Sequence, residues 1–285
     1  MSAAAEVVTQ AREYHLGKQE FAFLCAVVKQ HTGINLSEAK RELVYSRLSK
    51  RLRQLRLKDF REYCALLEEG DEAELLCMVN AVTTNLTGFF RENHHFDYLR
   101  NNLLPELLRS NAARRQLRIW SAGCSTGQEP YSIAMVLAEA LGGDSKWDAR
   151  ILATDLDTDV LEVGRSGIYP QDRVEKVPRD RLRRWFRRGR RLHAGKVRVL
   201  PELQRLVLFK RLNLMESWPM RGPFDAIFCR NVLIYFDKPT QRRLVDRFAD
   251  LLPVDGHLFL GHSESLHNVS SRFKLVGTTI YRKMT

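Results

Sequence analysis

The chain has 285 residues, 44% hydrophobic and 28% charged, with a formal net charge of +12. Domains typically run about 100–200 residues, so this length predicts one large domain or two modest ones. The balance supplies a packed core and excludes disorder along the whole chain. The longest apolar run, residues 21–28, is far short of the roughly 20 residues a membrane span needs. The opening MSAAAE has neither a basic nor an apolar leader region, so the expectation is no signal peptide, no membrane insertion and a cytoplasmic location.

Five scattered cysteines contain no C-x-x-C pair, which argues against a disulfide framework or a zinc ribbon. His94 and His95 are adjacent and diverge by about 100° on a helix. No metal site is expected.

Residues 18–80 predict a helical unit. Gly33 ends a helix over 20–32, and Ser37 is a candidate N-cap for the next. In that second helix Val44, Leu48, Leu52 and Leu55 form one apolar stripe. Arg47, Lys50, Arg51, Arg53 and Lys58 fall beside or opposite it, giving a helix that packs on one face and is cationic on the other. Further helices are expected over 59–67 and 72–82.

A helix over 96–108, striped by Leu99, Leu103 and Leu107, follows. From residue 117 strands and helices alternate: strands at 117–122, 150–154, 206–210, 224–229 and 257–261, helices at 130–141, 158–165 and 238–252. This spacing predicts an α/β fold with a parallel sheet covered by helices on both faces. Residues 273–276 and 279–282 flank Gly277-Thr278 and predict a terminal antiparallel hairpin.

Residues 163–211 hold 16 basic against 4 acidic side chains, too long a connection for an ordinary αβ loop. Short strands at 185–188, 191–193 and 196–200 predict a small antiparallel insertion, a β-subdomain at about 170–203. The segment 40–61 carries 9 basic residues against two acidic ones. The two clusters suit an anionic partner; a solvated arginine-rich face is the alternative reading.

Residues 119–131 read as a strand, a turn containing Gly123 and Gly127, and a helix opened by Pro130. Such a turn lets backbone approach a ligand. The next strand ends at Asp155, where a carboxylate can accept both hydroxyls of a ribose. Asp155 as N-cap of the helix over 158–165 is the alternative reading. No P-loop pattern is present. Glu129 sits in the glycine turn and would repel a pyrophosphate, so it suits a ligand with an amine and no phosphates. S-adenosyl-L-methionine has that chemistry.

Four segments carry a specific resemblance: TTNLTGFFRE at 83–92, SAGCSTGQEPYS at 121–132, FDAIFCRNVLIYF at 224–236 and LGHSES at 260–265. In this order they resemble the CheR-type chemotaxis receptor methyltransferases over about residues 19–282. The resemblance implies a class I S-adenosylmethionine-dependent, Rossmann-like methyltransferase domain over 117–285. An N-terminal helical domain over 1–82, a linker over 83–116 and the inserted β-subdomain complete the expected organisation. It implies methyl transfer to glutamate side chains of membrane chemoreceptors, with S-adenosyl-L-homocysteine as product. Carried over, Asn85, Thr87, Arg91 and Gly123 would line the cofactor cleft, Glu129 would hold the amino acid tail, and Asp155 the ribose. Asn213 and Leu214 would lie along the adenine, with Arg230 and Asn231 bordering the site. Arg91 and Tyr235 would act near the reacting groups. Arg47, Lys50, Arg51 and Arg53 are the candidate contacts to receptor helices. A receptor C-terminal peptide is a candidate partner for the insertion edge, with Trp185 and Phe186 as its apolar pockets.

Two other function classes are weighed. A nucleic-acid methyltransferase would use the basic surface, but the position after the fourth strand reads Cys229-Arg230-Asn231-Val232 without a proline. Cys229 as a nucleophile is weaker than Cys229 as a buried thiol. A non-catalytic S-adenosylmethionine sensor would not need Arg91 and Tyr235.

Overall fold

The computed structural model describes residues 13–143 and 146–284. The opening segment, read above as carrying no leader, lies largely outside these residues. The chain divides into two units, Met1–Thr83 and Thr84–Thr285.

In the first unit α1 (Lys18–Thr32) ends at Gly33, whose φ of 73° takes the left-handed cap conformation open to glycine. α2 (Arg41–Leu55) follows a short 3-10 turn. Ser37 precedes that turn and makes no side-chain capping bond, so the expected cap is absent although the helix is present. α3 (Phe60–Glu68) and α4 (Glu72–Val82) are capped by Asp59 and Asp71, each accepting two backbone N–H groups. Val44, Leu48 and Leu52 are fully buried and pack with Phe21, Leu24, Val28, Phe60, Tyr63 and Met78. The apolar stripe of α2 is therefore the spine of this unit.

The second unit begins with α5 (His94–Tyr98), a wide turn Leu99–Leu103 and α6 (Leu104–Ser110), which together make one helical run. Pro105 has no N–H to return to the preceding turn, and the helix widens there. Then come β1 (Gln116–Ala122), α7 (Gln128–Leu141), β2 (Asp148–Asp155) and α8 (Thr158–Ser166). The insertion holds β3 (Ile168–Pro170), α9 (Arg179–Trp185), β4 (Phe186–Arg188), β5 (Lys196–Val199) and α10 (Pro201–Gln204). β6 (Val207–Arg211), β7 (Ala226–Cys229), α11 (Lys238–Leu251), β8 (His257–Leu260), β9 (Phe273–Gly277) and β10 (Ile280–Lys283) complete the unit.

The main sheet has the order β6-β2-β1-β7-β8-β10-β9. β6, β2, β1, β7 and β8 are parallel, whereas β10 runs antiparallel to β8 and β9. Every residue of β7 and β8 is buried, as expected for central strands covered on both faces. α7 is buried over all of its first ten residues. It fixes the glycine turn that precedes it.

The small sheet has the order β3-β5-β4, all antiparallel. It differs from the sequence reading in two respects. Residues 191–193 form a 3-10 turn, and Trp185 ends a helix. Trp185 and Phe186 are both buried: Trp185 donates to Glu139 at 3.2 Å, and Phe186 meets Phe89 edge-on at 5.3 Å. They belong to the core and offer no exposed pocket.

Candidate active site

The C-terminal ends of β1, β2 and β7 lie side by side, and the turns leaving them bring together most of the sequence-predicted residues. Parallel α/β sheets hold ligands at this end. The turn after β1 crosses to β2 through Gly123 and Cys124, whose N–H groups donate to the Thr154 carbonyl at 2.8 and 2.9 Å. Gly123 has φ 77°, and a Cβ there would lie 2.3 Å from Val232 Cγ2. Glycine lets the turns after β1 and β7 close on each other.

Asp155 ends β2 and accepts N–H bonds from Ser125 (2.8 Å) and Asp157 (3.0 Å). Burial lifts its pKa to about 6, against the opposing effect of those bonds. The helix cap that Asp155 might have supplied is made by Asp157, which accepts from Asp159 and Val160. Asp157 also accepts from the Asn85 side chain at 2.8 Å, tying residue 85 to the end of β2. Thr87 is half-buried two residues on.

After β6, Asn213 is buried and its amide group bonds Glu216 and the Met215 N–H. The Leu214 carbonyl accepts from Arg247 (2.6 Å) and from the Trp218 indole (3.3 Å). Trp218 in turn meets Trp120 of β1 edge-on at 4.9 Å. The 213–214 corner is thus fixed against β1.

Glu129 and Arg230 form the centre. One Glu129 oxygen accepts from Ser121 Oγ at 2.7 Å, and the other from Arg230 at 3.1 Å. Burial raises the Glu129 pKa, while the Arg230 charge and the Ser121 bond oppose the rise. Arg230, whose side chain is 2% exposed, also pairs with Glu92 at 3.2 Å and donates to the Arg91 carbonyl. Its Nε is buried without a hydrogen-bond partner. Asn231 adopts φ 58° and donates its N–H to Glu264. Glu264 accepts four backbone N–H groups, from Asn231, Val232, Ile234 and Gly261. Glu92 and Glu264 were not among the expected site residues. Both stand inside segments picked out by sequence, but their partners are remote: Glu92 meets Arg230 and His262, 138 and 170 positions away along the chain.

Arg91 is half-buried, and its guanidinium bonds the Leu86 carbonyl at 2.6 Å. Among the described residues it pairs with no carboxylate. Glu92 is taken by Arg230, and Asp97 by Asn93 and Arg100. Tyr235 is half-buried with its hydroxyl 3.5 Å from the Thr84 carbonyl. Cys229 is fully buried, and burial pushes its thiol well above the usual range, which removes it as a nucleophile. Among the described residues no group of His, Cys, Asp and Glu could hold a metal ion, and no helix is long and apolar enough to cross a membrane.

In the first unit the four candidate cations differ. Lys50 and Arg53 are exposed. Arg47 donates to the Ala81 and Thr83 carbonyls at the end of α4. Arg51 forks onto the buried Glu74, which also accepts from Tyr63. The cationic face of α2 is therefore narrower than the pattern predicts, because two of its arginines hold the unit together.

The donor set fits S-adenosylmethionine. Glu129, which stands in the first turn of α7 rather than in the glycine turn and is held to β1 by Ser121, suits an ammonium, and Asp155 at the end of β2 suits a ribose diol. The comparisons agree. The family domain described as CheR methyltransferase, all-alpha domain, matches residues 19–83. The CheR methyltransferase, SAM binding domain, matches residues 85–282. Chemotaxis protein methyltransferase 2 of Pseudomonas aeruginosa is 49% identical over 272 residues, covering 95% of each chain. The chemotaxis protein methyltransferase of Salmonella typhimurium is 47% identical, covering 93% of this chain and 90% of that one. That of Escherichia coli is 46% identical, covering 93% and 91%. The glycine turn, the acidic end of β2 and the two matched domains together make this chain a member of the CheR methyltransferase family, with an S-adenosylmethionine-binding domain that follows an all-helical one in sequence.

Proposed function

We propose that the protein methylates glutamate side chains on the cytoplasmic helices of methyl-accepting chemoreceptors, forming γ-glutamyl methyl esters in the cytoplasm during chemotactic adaptation. The observation that carries the reading is Arg91: a half-buried guanidinium bonded to a backbone carbonyl and to no carboxylate, next in sequence to the acidic cluster. An arginine in that state is ready to take a carboxylate from outside. The names of the relatives, chemotaxis protein methyltransferases, supply the biological setting.

In this account Glu129 holds the ammonium, Asp155 the ribose, and Asn213 with Leu214 flank the adenine. Asn85, Thr87, Gly123 and Asn231 shape the walls. S-adenosylmethionine supplies a methyl group on a sulfonium centre and leaves as S-adenosylhomocysteine. The accepting glutamate has an ordinary pKa near 4.3 and is ionised at pH 7, so no general base is needed. A carboxylate oxygen forms the new bond to carbon as the carbon–sulfur bond breaks. Arg91 orients the accepting carboxylate, and Tyr235 donates a hydrogen bond beside it. Such positioning contributes up to roughly 7–11 kcal/mol.

Lys50 and Arg53 are the receptor-facing cations of α2, with Arg47 and Arg51 supporting the helix. β4 lies at an edge of the small sheet and carries exposed Arg187 and Arg188. A receptor C-terminal peptide with an acidic residue would add to that edge by backbone pairing.

The test is transfer of tritiated methyl from S-adenosylmethionine to receptor-rich membranes or to RNA. Label on receptor that base releases as methanol is the expected result. Base-stable label, or label on RNA alone, would overturn the reading.

A further inference from the structure

Arg230 is one buried cation between two carboxylates. Glu129 takes one of its nitrogens at 3.1 Å and Glu92 the other at 3.2 Å. Other charges nearby do not redress the count. His95 lies 3.7 Å from Glu92, but burial, Arg230 and His94 hold its pKa down to about 3, so it is neutral. Arg91 turns to the Leu86 carbonyl. Glu264 adds a further carboxylate, satisfied by backbone N–H groups. Three carboxylates against one guanidinium leave the buried cluster with excess negative charge; burial raises the Glu129 pKa in response, and a cation joining the cluster relieves that cost.

We propose that Glu92 is a positioning residue for ligand selectivity: by engaging Arg230, it leaves Glu129 with the unneutralised charge that selects a ligand bearing an ammonium group. The inference rests on the reading that Glu129 receives the amino acid tail. Glu92 is built for such a role. It takes φ 56°, and its carboxylate also accepts from the Asn231 side chain (3.3 Å) and the His262 N–H (3.1 Å). Burial pushes its pKa up, but Arg230 and these donors more than offset that and leave it below the usual range. Glu92 therefore stays ionised and keeps its hold on one side of the guanidinium. Without its charge, Arg230 belongs to Glu129 alone and neutralises it.

The experiment is calorimetric binding of S-adenosylhomocysteine and of its analogue lacking the α-amino group, to the wild-type full chain and to Glu92→Gln and Glu92→Asp. Charge-assisted bonds correspond to roughly 10–150-fold in affinity. The wild type should prefer the amine by a factor in that range. Glu92→Gln, which keeps the shape and one of the two accepting oxygens, should reduce the preference to a few-fold, through weaker binding of the amine ligand alone. Glu92→Asp should restore part of it. Equal losses for both ligands would make Glu92 a merely structural brace, and an unchanged preference in Glu92→Gln would overturn the proposal outright. No preference in the wild type would instead remove the assignment of Glu129, a separate outcome. Should Glu92→Gln fail to fold, Glu92→Asp decides the question: its shorter carboxylate meets Arg230 at longer range, so its preference should fall below that of the wild type through weaker binding of the amine ligand alone, and a full wild-type preference would overturn the proposal.

Discussion

Arg51 of the helical unit and Arg230 of the methyltransferase unit each bind a buried glutamate, and the surroundings of the two pairs differ. Arg51 meets one carboxylate, Glu74, 3% exposed, whose remaining capacity is filled by Tyr63. Charge is balanced and every group has a partner. Arg230 meets two carboxylates and keeps a buried Nε without one. A balanced pair of this kind locks helices; an unbalanced one has capacity for a ligand.

The largest expected effect breaks the balanced pair. Glu74→Ala strips Arg51 and Tyr63 of their partner and should destabilise the helical unit by about 3 kcal/mol, the low end for such pairs because Arg51 is partly exposed. Unfolding is best followed by far-UV circular dichroism, since all four tryptophans lie beyond residue 84. Affinity for S-adenosylhomocysteine should not change.

A third arginine sharpens the contrast. Arg91, bonded to a carbonyl alone, should matter for turnover and little for stability. Arg91→Ala should lower kcat about a hundredfold with a much smaller change in cofactor affinity, and Arg91→Lys should rescue only in part because the planar fork is lost. Equal losses in both parameters would make Arg91 a cofactor-binding residue.

Asp155 tests the acidic side by pH. Its folded pKa of about 6 lies above the unfolded value near 3.9. The native state therefore binds a proton more tightly, and ligand-free stability should fall as pH rises from about 4 to 6. Ribose recognition needs the ionised form, so affinity for S-adenosylhomocysteine should weaken as pH drops through about 6. Asp155→Asn should remove both pH steps, which parallel titrations of stability and binding would show.

The smallest effect concerns solvated charge. Reversing Lys50 and Arg53 should reduce receptor methylation only a few-fold, and added salt should reduce it in the wild type and less in the variant. Arg51 reversal should act through stability instead.

The same contrast explains what could be read from the sequence. The stripe Val44, Leu48 and Leu52, the alternation of strands and helices, and the terminal hairpin follow local periodicity, and each element stands within a few residues of its expected place. The glycine turn and the acid ending β2 are local signals as well. The division of labour among the α2 arginines was not legible, because Arg47 and Arg51 find partners more than 20 residues away. Nor was the role of Glu92, whose neighbours arrive from β7 and the turn after β8. Trp185 read as the start of a strand running to Gly189, yet it ends a helix and its indole reaches Glu139 of α7. Chemistry set by non-local charge needs coordinates.

Glutamate is the proposed acceptor of the methyl group. Peptide mass spectrometry of receptor helices after incubation with the protein and S-adenosylmethionine tests it most directly. A single methyl addition confined to glutamate side chains, lost after mild base, is the expected result. Methylation on lysine, arginine or a backbone terminus, or receptor left unmodified by an enzyme that binds the cofactor, would contradict it.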